Sequence, residues 1–468
     1  MADYTMTIDG KSVGGDGSFG VINPSTGGVF AQSPVCSRGQ LDQTMDAAAS
    51  AFLDWRRDED RRREALIACT DALNARLPEL ANVLTLEQGK PLASASEEVG
   101  GTAAWFQITA GLEIPLDVVQ DDENARIEVR RRPLGVVGAI TPWNFPLMLA
   151  AWKIAPALLA GNTVVLKPSP YTPLSSLLMG DVLREVLPPG VFNVVSGDDQ
   201  LGAWMTEHPA VRKVSFTGSV ATGKKVATSC ASDLKRVTLE LGGNDAAILL
   251  PDVDPAAVAD SIFWGAFANT GQVCSAIKRL YVPEELQPKI VAELAERARG
   301  VKVGDGFEPD TQLGPLNNRP QFERVCELVE SARSDGAHIA CGGEPLPGDG
   351  YFFAPTVVSG ISEGSRLVDE EQFGPALPIL TYRDVDDAVE RANATMFGLS
   401  GSVWSADTNR AAEVAGRLEC GTAWVNQHIA LVPHAPFGGS KWSGIGVENG
   451  PWGLLGFTEI QTVNIAKR

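Results

Sequence analysis

Short apolar runs rich in β-branched residues alternate with helical stretches from about residue 133 onward. Five of these runs are strand candidates, at 135–140, 162–167, 191–195, 211–216 and 236–241. The stretches between them that have a helical composition are 172–186, 200–207 and 221–229. This alternation is typical of βαβ units, in which helices cover both faces of a parallel sheet. The pattern therefore predicts an α/β fold, whose ligands bind at the carboxyl ends of the strands.

A second α/β section is predicted after Gly242, with strand candidates at 246–250, 379–382, 400–404 and 422–425. Two further segments, 125–130 and 459–465, alternate polar and apolar residues with a period of two, as half-buried antiparallel strands do. They form either an arm that pairs with another subunit or two ordinary edge strands.

Nearer the N-terminus, residues 41–69 are predicted as one helix, with the charged run 58–64 as a solvated face carrying i,i+4 ion pairs.

Composition and charge exclude several classes of partner. The 468 residues include 39 Lys and Arg against 58 Asp and Glu, which gives a formal net charge of −19. Such a charge repels phosphate backbones and anionic lipids, and no apolar run approaches the roughly 18–20 residues of a membrane span. We therefore expect neither a nucleic-acid partner nor a membrane partner. A chain of this length is expected to hold roughly two to four domains.

The seven cysteines are scattered along the chain, with no C-x-x-C pair and no Cys–His spacing typical of zinc sites. The N-terminus has no basic segment followed by an apolar one, as a secretory signal would have. These observations predict reduced thiols, no metal and a cytoplasmic location.

Three side chains are candidates for chemistry because of their local surroundings. Cys274 lies in a polar, glycine-containing turn, where a thiolate is accessible. The other six cysteines lie in helical or apolar contexts and are expected to be buried packing residues. Glu240 is a lone acid at the end of an apolar strand, where desolvation would raise its pKa toward that of a general base. A core carboxylate held by a salt bridge explains Glu240 equally well. Asn144, in the sequence PWNFP, could donate its amide N–H to an oxyanion or cap a turn.

The loop 218–223 follows a strand candidate and opens a helix, so its backbone N–H groups and the helix dipole could hold a phosphate. It differs from a P-loop because Lys225 follows Lys224 where a magnesium-binding hydroxyl is required. A plain strand–turn–helix junction explains this loop equally well.

Surface or loop positions are expected for the four unclustered histidines, His208, His338, His428 and His434.

Several short motifs follow one another along the chain. They are EQGKP (87–91), PWNFP (142–146), LKP (166–168), FTGS (216–219), LELGG (239–243), GQVC (271–274), EQFGP (371–375) and PFGG (436–439). Together they resemble the aldehyde dehydrogenase superfamily, nearly from end to end. The resemblance implies a Rossmann-like parallel-sheet cofactor domain (1–115 and 136–240), a second α/β catalytic domain (241–440) and a small antiparallel β oligomerisation arm (116–135 and 455–468). It also implies a homodimer or a homotetramer.

The resemblance implies roles for the candidate catalytic residues. Cys274 would attack the aldehyde, and the oxyanion would be held by the Asn144 amide and the backbone N–H of Cys274. Hydride transfer to the nicotinamide would leave a thioester, which water activated by Glu240 would hydrolyse. Lys153 and Glu448 match positions that relay protons to this base.

For the cofactor, the resemblance places Lys167 on the adenosine ribose, Ser219 at the pyrophosphate and Glu371 on the nicotinamide ribose. The other positions that match cofactor-binding residues are Thr141, Pro142, Trp143, Ser169, Gly218, Leu241, Gly242 and Phe373. Many NAD-dependent members carry Glu three residues after the lysine, where this chain has Pro170, which can neither bind a ribose 2′-hydroxyl nor repel a 2′-phosphate. The expected cofactor is therefore NAD or NADP, with a modest preference for NAD.

The positions that match the substrate tunnel are mostly apolar and include no arginine. They are Met148, Trp152, Val273, Ser275, Ile429, Leu431 and Phe437. They predict an uncharged aliphatic or aromatic aldehyde, because members that act on succinate semialdehyde usually place a cation in the tunnel. Lys278 and Arg279 lie near Cys274 in the sequence, and a solvated or structural role is expected for both.

Three alternatives remain open. One is a dehydrogenase of the succinate-semialdehyde type. A second is a CoA-acylating enzyme, which the presence of Glu240 argues against because such members typically lack the base. The third is a catalytically idle member kept for binding or structure, which the joint presence of Cys274, Glu240 and Asn144 argues against.

Overall fold

The structure is a computed structural model that describes residues 4–467. In this part of the chain, twenty strands form four sheets and fifteen α-helices surround or connect them. The strands are β1 Met6–Ile8, β2 Lys11–Val13, β3 Ser18–Asn23, β4 Gly28–Pro34, β5 Asp117–Asp121, β6 Ala125–Pro133, β7 Val136–Ile140, β8 Thr163–Lys167, β9 Phe192–Val194, β10 Val211–Gly218, β11 Arg236–Leu241, β12 Ala246–Leu249, β13 Arg279–Pro283, β14 His338–Cys341, β15 Thr356–Ser359, β16 Ala376–Tyr382, β17 Ser400–Trp404, β18 Thr422–Val425, β19 Gly444–Ile445 and β20 Thr458–Ala466. The helices are α1 Arg38–Trp55, α2 Glu59–Ala75, α3 Leu77–Gln88, α4 Leu92–Ala110, α5 Pro146–Leu159, α6 Leu174–Leu183, α7 Asp199–Glu207, α8 Val220–Ala231, α9 Pro255–Phe267, α10 Gln287–Gly300, α11 Arg319–Ser334, α12 Arg366–Asp369, α13 Val385–Asn393, α14 Thr408–Ala415 and α15 Gly450–Leu455.

The first large sheet has the strand order β19-β11-β10-β7-β8-β9-β1-β2. Its five central strands, from β11 to β9, run parallel and match the five strand candidates between residues 135 and 241. Both β7 and β8 are buried along their whole length, which explains why they occur in the sequence as continuous apolar runs. An apolar core joins this sheet to helices α1 to α8.

The second large sheet has the strand order β14-β15-β16-β13-β12-β17-β18, in which all strands except β14 run parallel. The predicted strands at 246–250, 379–382, 400–404 and 422–425 correspond to β12, β16, β17 and β18. Sequence analysis did not identify β13, because this central strand begins with the charged residue Arg279. The Arg279 side chain is buried and donates hydrogen bonds to the backbone carbonyls of Asn244 and Ala392.

The two segments with period-two alternation pair with each other in a small antiparallel sheet. Strand β20 pairs with β6 from Thr458 opposite Pro133 to Ala466 opposite Ala125, and β5 lies on the other side of β6. Ile460 on β20 is 64% exposed, so this sheet presents a large apolar side chain to its surroundings.

Residues 41–69 form two helices, so the prediction of one helix is wrong. The chain leaves α1 after Trp55 and α2 begins at Glu59, because the Asp58 side chain accepts the backbone N–H of Arg61 and caps the new helix. In the charged run, Glu59 and Arg63 form an i,i+4 ion pair as predicted. Arg62 is buried and donates to the Leu159 carbonyl, so this part of the run does not face solvent.

Within residues 4–467, no helix combines the length and the apolar character that crossing a membrane requires.

Candidate active site

A cavity of about 610 Å³ lies at the carboxyl ends of β7, β10 and β11. This is the edge where a parallel sheet is expected to bind its ligands. From the first sheet its wall contains 142–144, 217–219 and 240–242, and from the second half of the chain it contains Cys274 and 369–371. The cavity thus brings together segments that are far apart in the sequence.

Cys274 is presented to this cavity by a tight turn that follows α9. Asn269 and Thr270 in the turn have φ values of 50° and 59°, in the left-handed region that non-glycine residues seldom adopt. The Thr270 hydroxyl donates to the carbonyl of Gly314 over 2.9 Å. Gly271 also has a positive φ, and a Cβ atom there would overlap the Gly374 carbonyl. The turn that positions Cys274 is therefore held by its own backbone conformation and by neighbouring segments.

The Asn144 side chain is oriented toward the same turn. Its Nδ2 donates to the Gln272 carbonyl over 3.0 Å, and its own carbonyl accepts from Lys90 Nζ over 2.9 Å. Lys90 is in turn paired with Glu98, and both side chains are almost completely buried. Glu98 Oε1 also accepts the backbone N–H of Leu147 in the first turn of α5. A buried ion pair therefore fixes the segment that carries Asn144.

Glu240 lies at the end of β11 and is 4% exposed. Within the described residues, neither of its carboxylate oxygens has a hydrogen-bond partner. Burial raises the pKa of Glu240 well above its usual value, the nearby Glu448 raises it further, and Lys153 acts in the opposite direction. A buried, unpartnered carboxyl group with a raised pKa has the properties that a general base requires.

Lys153 on α5 and Glu448 lie together behind Glu240. Lys153 Nζ is 2.7 Å from Glu448 Oε1, and both side chains are fully buried. The Ser215 hydroxyl on β10 donates to the same oxygen over 2.9 Å. The structure thus brings together all five residues predicted to be catalytic, with Cys274, Asn144 and Glu240 on the cavity wall and the Lys153–Glu448 pair next to Glu240.

Most of the predicted cofactor residues line the cavity: Pro142, Trp143, Gly218, Ser219, Leu241, Gly242, Glu371 and Phe373. Ser219 is the N-cap of α8 and its side chain accepts the backbone N–H of Thr222 over 3.2 Å. Glu371 Oε1 accepts the backbone N–H of Gly243 over 3.1 Å. A Cβ atom at Gly242 would overlap the Glu371 carboxylate, so glycine is required there for this close approach.

The remaining predicted cofactor residues, Thr141, Lys167 and Ser169, lie at or just after the ends of β7 and β8 and are not part of the cavity wall. All three are buried, and Lys167 Nζ donates to the Pro168 carbonyl over 3.1 Å. Burial lowers the pKa of Lys167 to about 8, although Asp199 and Asp198 act in the opposite direction.

Four of the predicted tunnel residues form one apolar cluster with Cys274: Met148, Trp152, Leu431 and Phe437. The other three, Val273, Ser275 and Ile429, are outside this cluster, although Val273 and Ser275 flank Cys274 and are buried. Sequence analysis missed Trp105 on α4, whose ring stacks on that of Trp152 with centroids 5.7 Å apart. No local pattern distinguishes Trp105 from an ordinary core residue, so only the packing of α4 against α5 identifies it.

Two further residues, Lys278 and His428, lie near Cys274. Lys278 is buried, so a solvated role is excluded, and its Nζ donates to the backbone carbonyls of Val273 and Cys274. His428 lies in a loop, as predicted, and its Nε2 is 2.8 Å from the Ser275 carbonyl. Burial lowers the pKa of His428 to about 3, so its ring is neutral and Nε2 donates to that carbonyl.

The cysteines outside the site divide into two groups. Cys36, Cys69 and Cys230 are buried, as predicted, whereas Cys326, Cys341 and Cys420 are half-buried. The prediction of buried packing positions for all six is therefore wrong for the last three.

Comparisons with known proteins all point to one family. The model of the aldehyde dehydrogenase family matches residues 12–463. Retinaldehyde dehydrogenase 3 from Rattus norvegicus is 39% identical over 457 residues, which cover 96% of this chain and 89% of that protein. An aldehyde dehydrogenase from Enchytraeus buchholzi is 39% identical over 478 residues, covering 99% and 94%. The solved structure of an aldehyde dehydrogenase from Bacillus cereus in complex with NAD+ superposes with a TM-score of 0.97 at 35% identity, covering 100% of this chain and 97% of the other.

The family model matches nearly the whole chain, and the relatives are close enough in sequence to assign the chain to one family. The chain belongs to the aldehyde dehydrogenase family and is an NAD(P)-dependent enzyme of that family.

Proposed function

We propose that this enzyme oxidises an uncharged aliphatic or aromatic aldehyde to the carboxylic acid, with Cys274 as the nucleophile and Glu240 as the general base. The observation that carries the proposal is the presence of a thiol, an amide donor and an unpartnered buried carboxyl group on the wall of one cavity. These are the groups that attack a carbonyl, hold the oxyanion and activate water.

The first step is attack of the Cys274 sulfur on the aldehyde carbon, which gives a thiohemiacetal. Burial raises the pKa of the Cys274 thiol to about 12, so the thiol proton has to leave as the bond to carbon forms. Glu240 is an unpartnered base on the same cavity wall. The Asn144 amide and the backbone N–H of Cys274 donate to the oxyanion, and the Lys90–Glu98 pair keeps Asn144 in place.

The second half of the reaction is hydrolysis of the thioester on Cys274. Glu240 takes a proton from water, which attacks the thioester carbon and releases the acid and the thiol. The Lys153–Glu448 pair lies next to Glu240 and is the adjacent ionisable pair through which this proton would pass. The raised pKa of Glu240 makes it strong enough as a base for this step.

A bound nicotinamide cofactor would supply the hydride acceptor. Glu371 lines the cavity, and its carboxylate has room there because Gly242 has no side chain. Ser219 is the N-cap of α8, and a helix N-terminus favours a phosphate. These features fit a dinucleotide, which Ser219, Lys167, Glu371, Trp143 and Phe373 would hold. The NAD+ complex of the Bacillus cereus relative supports NAD(P), and we retain the modest preference for NAD.

The apolar cluster around Cys274 supports an uncharged substrate. Trp152, Phe437 and Trp105 place aromatic rings beside the nucleophile, with centroid separations of 5.7 Å from Trp152 to each of the other two. Lys278, the nearest lysine in the sequence, points to Glu371 and to backbone carbonyls and is therefore not free to bind a second carboxylate on the substrate. Retinaldehyde dehydrogenase 3, one of the relatives, is named after an uncharged, apolar aldehyde, which also supports this substrate class.

The test measures the reduction of NAD and of NADP by the change in absorbance. The substrates are neutral and acidic aldehydes of matched length. We expect reduction by the wild type with neutral aldehydes and none by Cys274→Ala, whereas Cys326→Ala, a control at a half-buried cysteine on α11, should stay active. Comparable kcat/KM for succinate semialdehyde and for a neutral aldehyde of similar length would overturn the substrate assignment. If acyl-CoA forms when CoA is added, the acyl group passes from Cys274 to CoA rather than to water, and the proposal of hydrolysis is wrong.

We also infer that the sheet of β5, β6 and β20 is an oligomerisation arm (116–135 and 455–468) attached to a cofactor domain (1–115 and 136–240) and a catalytic domain (241–440). Ile460 on β20 and Val119 on β5 are both more than half exposed, which supports association into a homodimer or a homotetramer. Light scattering of Ile460→Asp should give a smaller mass than the wild type.

The seven free cysteines support a cytoplasmic location, which fractionation of the native host would test.

A further inference from the structure

A buried lysine lies directly behind the proposed nucleophile. The Lys278 side chain is 2% exposed, and its Nζ donates to the Val273 carbonyl over 3.1 Å and to the Cys274 carbonyl. The same Nζ is 3.5 Å from Oε1 of Glu371, a residue of the cavity wall. One ammonium group therefore connects the backbone of the nucleophile with a carboxylate on the cofactor side of the cavity.

We propose that Lys278 is a positioning residue that ties the Cys274 loop to Glu371 and provides the local positive charge for the Cys274 thiolate. The proposal rests on the proposed function, because it concerns the residue assigned there as the nucleophile. The sequence neighbourhood allowed a solvated or structural role for Lys278, and the contacts of its Nζ give it a role at the reacting thiol.

The charges around Cys274 show why one lysine matters. Lys278 lowers the pKa of the thiol, whereas Asp245 before β12, Glu240 on β11 and Glu371 after α12 raise it. Among these charged groups, Lys278 is the one that favours the Cys274 thiolate. Removal of Lys278 leaves these carboxyl groups unopposed, and removal of Glu371 takes away one of them.

The backbone at Lys278 is held independently of its side chain. The Lys278 N–H donates to the Asp245 carbonyl over 2.9 Å, and its carbonyl accepts from Gln372 Nε2 over 3.1 Å. Strand β13 starts at the next residue and pairs with β12 and β16. Replacement by methionine, which has a similar length and no charge, should therefore change the electrostatics at Cys274 more than the fold.

The experiment is alkylation of Cys274 by iodoacetamide as a function of pH, in the enzyme without cofactor, read from the Cys274 peptide by mass spectrometry. The variants are Lys278→Met, Lys278→Arg and Glu371→Gln, with Lys289→Met as a matched control because Lys289 is exposed and pairs only with Asp254 among the ion pairs of residues 4–467. Thermal melting of each variant reports on structure separately.

We expect Lys278→Met to raise the apparent pKa of Cys274 alkylation by about one unit, so that the rate at a fixed lower pH falls about tenfold. Lys278→Arg should restore part of this loss because it keeps the charge. Glu371→Gln should shift the profile in the opposite direction, since it removes a carboxylate that raises the thiol pKa. Lys289→Met should leave the profile unchanged. Shifts of opposite sign from the two members of one ion pair are a signature that a purely structural role does not produce.

Superimposable profiles of the wild type and Lys278→Met would overturn the inference, whatever the melting temperatures. If Lys278→Met does not fold, Glu371→Gln decides, and the absence of a downward shift overturns the proposal. Failure of the proposed function looks different: aldehyde oxidation would then survive complete alkylation of Cys274 in the wild type.

Discussion

Lys153 Nζ and Glu448 Oε1 lie 2.7 Å apart with neither side chain exposed, although 295 residues separate them in the sequence. Ser215 adds a hydrogen bond to the same carboxylate oxygen, so α5, β10 and the segment before α15 meet at one buried charge pair. Because Glu448 raises the pKa of Glu240 and Lys153 lowers it, the pair also sets the charge environment of the proposed base.

Lys153→Met should destabilise the protein by about 3–5 kcal/mol, since it leaves the Glu448 carboxylate buried and unpaired. Urea unfolding followed by tryptophan fluorescence measures the loss. The double variant Lys153→Met/Glu448→Leu should recover most of the stability because no buried charge remains unpaired. A single variant as stable as the wild type would contradict this account of the pair.

Glu448→Gln should shift the rising limb of the kcat–pH profile to lower pH. The base acts when deprotonated, and removing the Glu448 charge lowers the raised pKa of Glu240, so the active form appears at lower pH. Lys153→Met should shift the same limb to higher pH. Glu413→Gln on the exposed face of α14 is the matched control and should leave the profile in place. Shifts of the same sign in both pair variants would contradict the charge argument.

Glu87→Gln should become more stable relative to the wild type as the pH rises. The Glu87 side chain accepts the backbone N–H groups of Leu174 and Ser175 and caps α6, and burial raises its pKa to about 8. A carboxyl group whose folded pKa is raised stabilises fully below its unfolded pKa, and this stabilisation is lost as the pH rises to about 8. Urea midpoints of both proteins at about pH 5 and about pH 9 measure the difference. Parallel changes in the two proteins would show that Glu87 does not titrate in this way.

Trp105→Ala should lower kcat/KM for aromatic aldehydes roughly two- to tenfold, because it removes the ring that stacks on Trp152. Acetaldehyde, which is too small to fill the apolar cluster, should be affected less. Trp105→Phe keeps an aromatic ring and is the matched control. Equal losses for small and aromatic aldehydes would place Trp105 outside the substrate site.

Pro170→Glu should lower kcat/KM for NADP by at least about tenfold, because a carboxylate three residues after Lys167 would repel a 2′-phosphate. NAD should be affected little or should bind better, since the carboxylate can accept a hydrogen bond from the 2′-hydroxyl. Steady-state kinetics with both cofactors at one ionic strength measure the ratio. An unchanged ratio would show that the adenosine ribose does not approach this turn.

Sequence determined those features that depend on neighbours along the chain. A strand buried on both faces has to be apolar throughout, so β7, β8 and β12 could be predicted from their continuous apolar runs. Cys274 and Glu240 could also be selected locally, because one is a thiol in a polar turn and the other a lone acid at an apolar strand end. The motifs that resemble the aldehyde dehydrogenases identified the family for the same reason, since each is a short contiguous segment.

Only the tertiary structure decided which of these side chains meet and which charges are buried. Lys153 and Glu448, and Trp105 and Trp152, come together because elements distant in sequence are packed against one another. Lys278 was ambiguous in the sequence, since a lysine beside a turn can extend into solvent or fold back onto backbone carbonyls. The burial of its ammonium group depends on Glu371 and on the carbonyls of the Cys274 loop, and hydrophobic periodicity carries no information about such contacts.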